Sequence, residues 1–174
     1  MKVLVKNDCV LQSDEKMHLP GAILDVPSVS DADSLLITDF ALKRGMDIVT
    51  ASFARKAEDV EEVRRIMDDK GKGVQVWAKI QSMEGIRAFD EILAAADGVM
   101  IDRQSLSMEM FPDKALIAQK WMVMKANVAC KPVVTYMQEF DSMIIIPDPN
   151  VIEGEPLRED ELQPTRGEAN DILV

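Results

Sequence analysis

The chain has little of what metal and nucleophilic sites are usually made from. Among its 174 residues there is one histidine, His18, and two cysteines, Cys9 and Cys130. No CxxC pair and no Cys/His cluster exists, which excludes a zinc centre of the usual kind; free, reduced thiols are the expected state. Basic charge is also in deficit. Twenty Lys and Arg stand against 31 Asp and Glu, for a net charge of −11, and this speaks against binding a nucleic-acid backbone or a membrane surface. No stretch approaches the ~20 consecutive apolar residues of a membrane-spanning helix. The opening MKVLVKNDCVLQ lacks the apolar centre of a signal peptide, so a cytoplasmic protein is expected. There is no GxGxxG and no GxxxxGK followed by Ser or Thr; KGKGVQ at Lys70–Gln75 reads as a turn rather than a phosphate cradle.

What is present is a core's worth of apolar side chains, 47% of the chain, enough for one compact domain. The segment to Leu24 reads as short β structure, with KVLVK and CVLQ flanking a turn at Asn7-Asp8. LPGAILDVP is a connection punctuated by prolines. From Ser30 an alternation begins. Ser30-Asp-Ala-Asp33 is a helix-start signal, Leu35, Leu36, Phe40 and Leu42 fit the helix, and Gly45 stops it near Arg44. MDIVTASF is strand-like. Lys56–Lys70 is a helix with Val60, Val63, Ile66 and Met67 on one face. VQVWAKI is a strand, and Glu84–Ala96 a helix burying Ile86, Phe89, Ile92 and Leu93. VMI is a strand, Pro112–Ala129 a longer helix, and PVVTYM a fourth strand. Trp121 and Met124 share a face of that last helix, as core or interface.

Alternating helices and apolar strands with short connections predict βα units around a parallel sheet. A (β/α) barrel and an open doubly wound sheet both fit that pattern. The predicted organisation is a leading segment 1–27, a βα body over 28–143, an acidic, proline-rich loop over 144–163 and a helix start over 164–174.

Several stretches together resemble the pyruvate kinase family. NDCVLQSDEKMHLPGAILDVPSVSDAD is similar to the end of that family's lid domain and its return into the barrel. MDIVTASFARKAEDVEEVRRIMDDKGK, AKIQSMEGIRAFDEILAAADGVMIDR and KALIAQKWMVMKANVACKPVV are similar to successive barrel units, and PTRGEANDI to the family's PTRAE element. The resemblance implies a partial TIM-type barrel of about four of the usual eight strands, preceded by a short β segment. The first three barrel strands, most of the lid, the eighth strand and the regulatory domain have no counterpart. It also implies a site at the carboxyl ends of the strands, and transfer of a phosphoryl group from phosphoenolpyruvate to ADP with Mg²⁺ (or Mn²⁺) and K⁺.

Carried over residue by residue, that chemistry is depleted. Lys79 matches the family's catalytic lysine. Gln81 stands at the first metal-binding glutamate. The family's Ala-Arg-Gly-Asp turn, which holds the second metal carboxylate, reads Asp102-Arg103-Gln104-Ser105. Arg103 is kept, Gln104 replaces a glycine where the substrate needs room, and Ser105 replaces the carboxylate. Asp102 is a possible substitute ligand, but an odd offset along a strand is expected to turn it to the opposite face. Met137 falls where the family has a threonine near the transferred proton, and a thioether relays no proton; Thr135 lies deeper in the same strand. Trp77 replaces a smaller aliphatic residue. The expectation is a family member without turnover, needing no metal, whose open barrel edges are covered by self-association or a partner chain. Kinase activity with Mg²⁺ and K⁺, or pyruvate enolisation at Lys79 with the barrel complemented by another chain, is the alternative.

Overall fold

The computed structural model describes residues 25–136 continuously, together with 18–23, 6–8, Leu4 and Val10. Met137, the acidic 144–163 segment, the 164–174 stretch and most of the expected leading β segment lie outside the described residues. Between Ser30 and Tyr136 the expected helices and strands all form.

The leading helix starts where the sequence signals it. Ser30 Oγ accepts from the Asp33 amide at 3.2 Å, and the Asp33 carboxylate accepts from the Ser30 amide at 2.9 Å, a reciprocal cap. The helix runs as α1 (Asp31–Leu35), widens into a π-helical stretch (Leu36–Ala41) and closes as α2 (Leu42–Arg44). Gly45 ends it in the left-handed conformation at φ 66°, which glycine adopts without strain. After β1 (Ile48–Ala51), α3 (Ala57–Met67) has no Ser or Thr cap. Asp59 does that work from within the first turn, accepting from the Arg55 amide at 2.8 Å. The buried Arg55 guanidinium in turn donates to the Val26 carbonyl at 2.6 Å and ties the incoming segment to α3.

The remaining elements are β2 (Gln75–Ile80), α4 (Met83–Arg87), α5 (Phe89–Ala95), β3 (Gly98–Asp102), α6 (Arg103–Glu109), α7 (Pro112–Val128) and β4 (Val133–Tyr136). The four strands form one parallel sheet in the order β1-β2-β3-β4. Strand parity sorts its two faces. Val76, Ala78 and Ile80 of β2 and Val99 and Ile101 of β3 are fully buried, in one core with Val60, Phe89, Ile92 and Met122 from the helices. Ile86, expected in that core, is only half-buried; it sits near the end of the short α4, just before the chain breaks at Ala88 into α5.

The opposite face carries Trp77 and Lys79 of β2, in register with Gly98 and Met100 of β3. Trp77 is buried there. Its indole lies over Gly98, where an added Cβ would come within 2.5 Å of the ring, and its N–H donates to Gln75 Oε1 at 2.9 Å. The glycine is a packing requirement rather than a turn. Gly98→Ala is expected to displace the indole and cost about 1–3 kcal/mol, read as a lowered denaturation midpoint with a red-shifted tryptophan emission.

Lys131 fastens the loop before β4. Its ammonium donates to the carbonyls of Leu93, Ala94 and Ala96 at 2.6, 3.0 and 2.7 Å, supplying both partners and positive charge to the exposed end of α5.

Candidate functional site

The carboxyl ends of all four strands contribute to one cluster. Beyond β1 the chain turns sharply at Phe53, whose φ is 58°, a region a phenylalanine occupies only at a cost. That turn aims the Phe53 amide at Gln81 Oε1, 3.0 Å away. From the other end of the same side chain, Gln81 Nε2 donates to Asp102 Oδ2 at 2.8 Å and faces Ser105 Oγ at 3.4 Å. Asp102, the last residue of β3, takes the Lys79 ammonium on the same oxygen at 3.1 Å. Its other oxygen accepts from the Ser105 amide at 3.0 Å and so caps α6. Lys79 completes the set by lying 4.4 Å from the centre of the Tyr136 ring, at the end of β4.

Asp102 is the hub, and the sequence reading placed it wrongly. It was expected on the far face because three residues separate it from the position of the missing carboxylate. The parity rule stops applying at Asp102, because the strand ends there and α6 begins at Arg103. Across the start of a helix, positions three apart approach each other, as an N-cap side chain must to reach the third residue's amide. Parity within β3 and β4 also places Asp102 and Tyr136 on the Lys79 face. The expected turn at 102–105 is therefore a helix start.

The other expected positions fall as follows. Lys79, Gln81 and Ser105 come together. Arg103 is buried in the first turn of α6, and Gln104 is exposed on it. Met137 lies outside the described residues. Thr135 pairs with Ile101 and so takes the helix-side face of β4, away from Lys79; Tyr136 meets the lysine instead. The Phe53 amide was not anticipated, and a backbone donor at a strained phenylalanine has no sequence signature.

The electrostatics are closed within the cluster. The Asp102 side chain is 4% exposed and that of Lys79 is 18% exposed. Burial by itself pushes the Asp102 carboxyl up; the Ser105 amide, Lys79 and Gln81 outweigh it and hold the group below its ordinary 3.8. The carboxylate is thus ionised and fully partnered. As a place for Mg²⁺ or Mn²⁺ the donor set fits poorly. It offers one carboxylate, already facing an ammonium and an amide N–H, with one neutral amide oxygen already accepting from Phe53 and one hydroxyl. Among the described residues no group of three His, Cys, Asp or Glu side chains is placed to hold a metal.

A family model described as "Pyruvate kinase, barrel domain" matches residues 1–157. The chain belongs to the pyruvate kinase family. It is 41% identical over 97% of its length to a pyruvate kinase of Dictyostelium discoideum, covering 30% of that protein. It is 39% identical over 97% to pyruvate kinase PKLR of Homo sapiens, covering 26%, and 35% identical over 96% to a cytosolic isozyme of Nicotiana tabacum, covering 30%. The chain thus spans about 30% of the length of these pyruvate kinases. The parallel sheet and its helices agree with part of a pyruvate kinase barrel domain. No helix among the described residues is long and apolar enough to cross a membrane.

Proposed function

We propose that this chain is a pyruvate kinase homologue without phosphoryl-transfer activity that acts by assembly, in the cytosol as the tobacco isozyme's name suggests for that relative. The observation that carries this reading is the Gln81 side chain, held at one end by the Phe53 amide and at the other by Asp102. Phosphoryl transfer depends on cationic charge poised to neutralise the moving group, supplied by a metal and a lysine together. Here the amide N–H and the Lys79 ammonium both serve Asp102. They compensate one internal carboxylate and leave little positive charge for a phosphate. Binding phosphoenolpyruvate would require Lys79 to abandon a partner 3.1 Å away and to expose a buried carboxylate.

The test is a coupled assay with phosphoenolpyruvate, ADP, Mg²⁺ and K⁺. No turnover above the blank is expected, and none when Lys79→Ala is compared with the parent. Turnover that Lys79→Ala abolishes would overturn the proposal. Exchange of the pyruvate methyl protons with solvent, run alongside, reports on enolisation alone; no Lys79-dependent exchange is expected.

A further inference from the structure

The half-buried Ile86 lines a groove. The groove encloses about 580 Å³ and lies between α4, the joint of α6 with α7, and one side of α7. None of its lining residues belongs to the Lys79 cluster. On α7 the wall is Lys114, Ile117, Ala118 and Trp121, spaced i, i+3, i+4 and i+7 and so on one helical stripe. Ala118 adds only a methyl group, which leaves room between its larger neighbours. Met83 and Ile86 of α4 and Met110, just past α6, make the other walls. Phe111 and Ile117 also line the groove and are 71% and 68% exposed, unusual for two large apolar side chains bordering one depression. The Trp121 ring is fixed in place. It packs against the buried Phe89 with 5.5 Å between centroids, and the Lys125 ammonium, paired with Asp90, lies 4.3 Å from its centre. The flexible thioethers of Met83 and Met110 can conform to a guest. Two charges border this apolar surface. Lys114 is exposed, with its ammonium 5.6 Å from the centre of the Phe111 ring, and it makes no ion pair among the described residues. Glu109 is the one carboxylate among the lining residues.

We propose that this groove binds a small apolar carboxylate, with the hydrocarbon body between Met83, Met110, Ile117 and Trp121 and the single anionic group on the Lys114 ammonium. The volume falls in the range of small-ligand sites, ~300–1,000 Å³, and such sites join an apolar lining to a few polar groups that fix orientation. Charge selects the class. A carboxylate gives Lys114 the ionic partner that the fold does not supply, a charge-assisted contact beside apolar surface. Glu109 repels a second anionic group on the same guest, so a dicarboxylate is disfavoured. Length narrows the class further. From Lys114 to Trp121 the wall on α7 is two turns, roughly 10 Å at ~1.5 Å per residue, which suits a medium-chain acid.

Octanoate is the probe, titrated into the full chain with isotope-labelled methionine methyl groups and followed by nuclear magnetic resonance. Saturable binding of one octanoate per chain is expected. The Met83 and Met110 methyl signals should shift, and those of Met46 and Met67, which do not line the groove, should not. Lys114→Gln changes an exposed position, so it should keep the fold by circular dichroism and weaken octanoate roughly fivefold. Glu109→Gln should tighten it about twofold. Octan-1-ol, which lacks the charge, should bind the parent and Lys114→Gln alike, and suberate, with two carboxylates, should bind the parent more weakly than octanoate. An absence of saturable octanoate binding overturns the proposal. So does binding that leaves Met83 and Met110 unmoved, or binding indifferent to Lys114→Gln, which is adsorption to exposed apolar surface. Light scattering without octanoate tests the other occupant: a parent dimer that Ile117→Glu makes monomeric assigns the groove to a second copy and also overturns it.

Discussion

Asp102→Ala is expected to lower the unfolding free energy by about 3–5 kcal/mol, the range for breaking a buried, hydrogen-bonded charge pair from one side. One carboxylate holds three groups: the Lys79 ammonium, the Gln81 amide and the Ser105 amide that opens α6. Its removal leaves Lys79 with the Tyr136 ring alone among the described residues, strands a part-buried amide and uncaps a helix. Asp102→Asn, which keeps an oxygen for the cap, should lose less. The pH dependence follows from the sign of the shift. The folded chain holds Asp102 below 3.8, so its stabilisation is present above that value and is lost as pH falls through the lower folded-state value. The parent should therefore shed this contribution in the acid range below about pH 4, and Asp102→Asn should show a shallower acid decline. Chemical denaturation from pH 2 to 7 measures both.

Gln81→Glu is expected to destabilise the chain by about 2–4 kcal/mol at pH 7, although it restores a side chain of the family's metal site. The two side chains have nearly the same shape. In the folded chain, however, Gln81 Nε2 donates to Asp102 Oδ2 at 2.8 Å. A carboxylate there sets a second anion against the buried Asp102, whose one ammonium partner is Lys79. That raises the new glutamate's pKa. Stability should recover as pH falls toward 5, because a protonated glutamate regains the donor that the amide supplied. Denaturation midpoints at pH 5 and pH 7 give the difference. A Gln81→Glu variant as stable as its parent at neutral pH would mean that the amide is not the bridge described above.

The elements were legible because their signals are local. Ser30 and Asp33 mark a helix start, Gly45 marks its end, and the apolar runs of β2 and β3 announce strands buried by helices. Lys79 and Gln81 were legible through the family resemblance, which fixes both of them at the carboxyl end of β2. Asp102 was not. Its location depends on the residue at which strand geometry gives way to helix geometry, and RQSLSME has no apolar period to reveal a short helix. Tyr136 depends on the register between β3 and β4, which no single segment encodes. The exposure of Leu36 and Phe40 was equally hidden, because an apolar residue in a helix reads the same whether it meets the core or solvent. Trp77 was noticed as a large residue in place of a small one. Its reason became visible only with Gly98 opposite, across a register that pairs residues far apart in sequence.

On the function proposed above, an internally neutralised cluster takes the place of the family's metal-and-lysine site. The most direct test is a titration of the full chain with Mn²⁺, followed by the electron paramagnetic resonance signal of the free ion. The parent chain and Gln81→Ala should give the same curve, reflecting only weak, diffuse binding to an acidic protein of net charge −11. One tightly held Mn²⁺ per parent chain, lost in Gln81→Ala, would contradict the account.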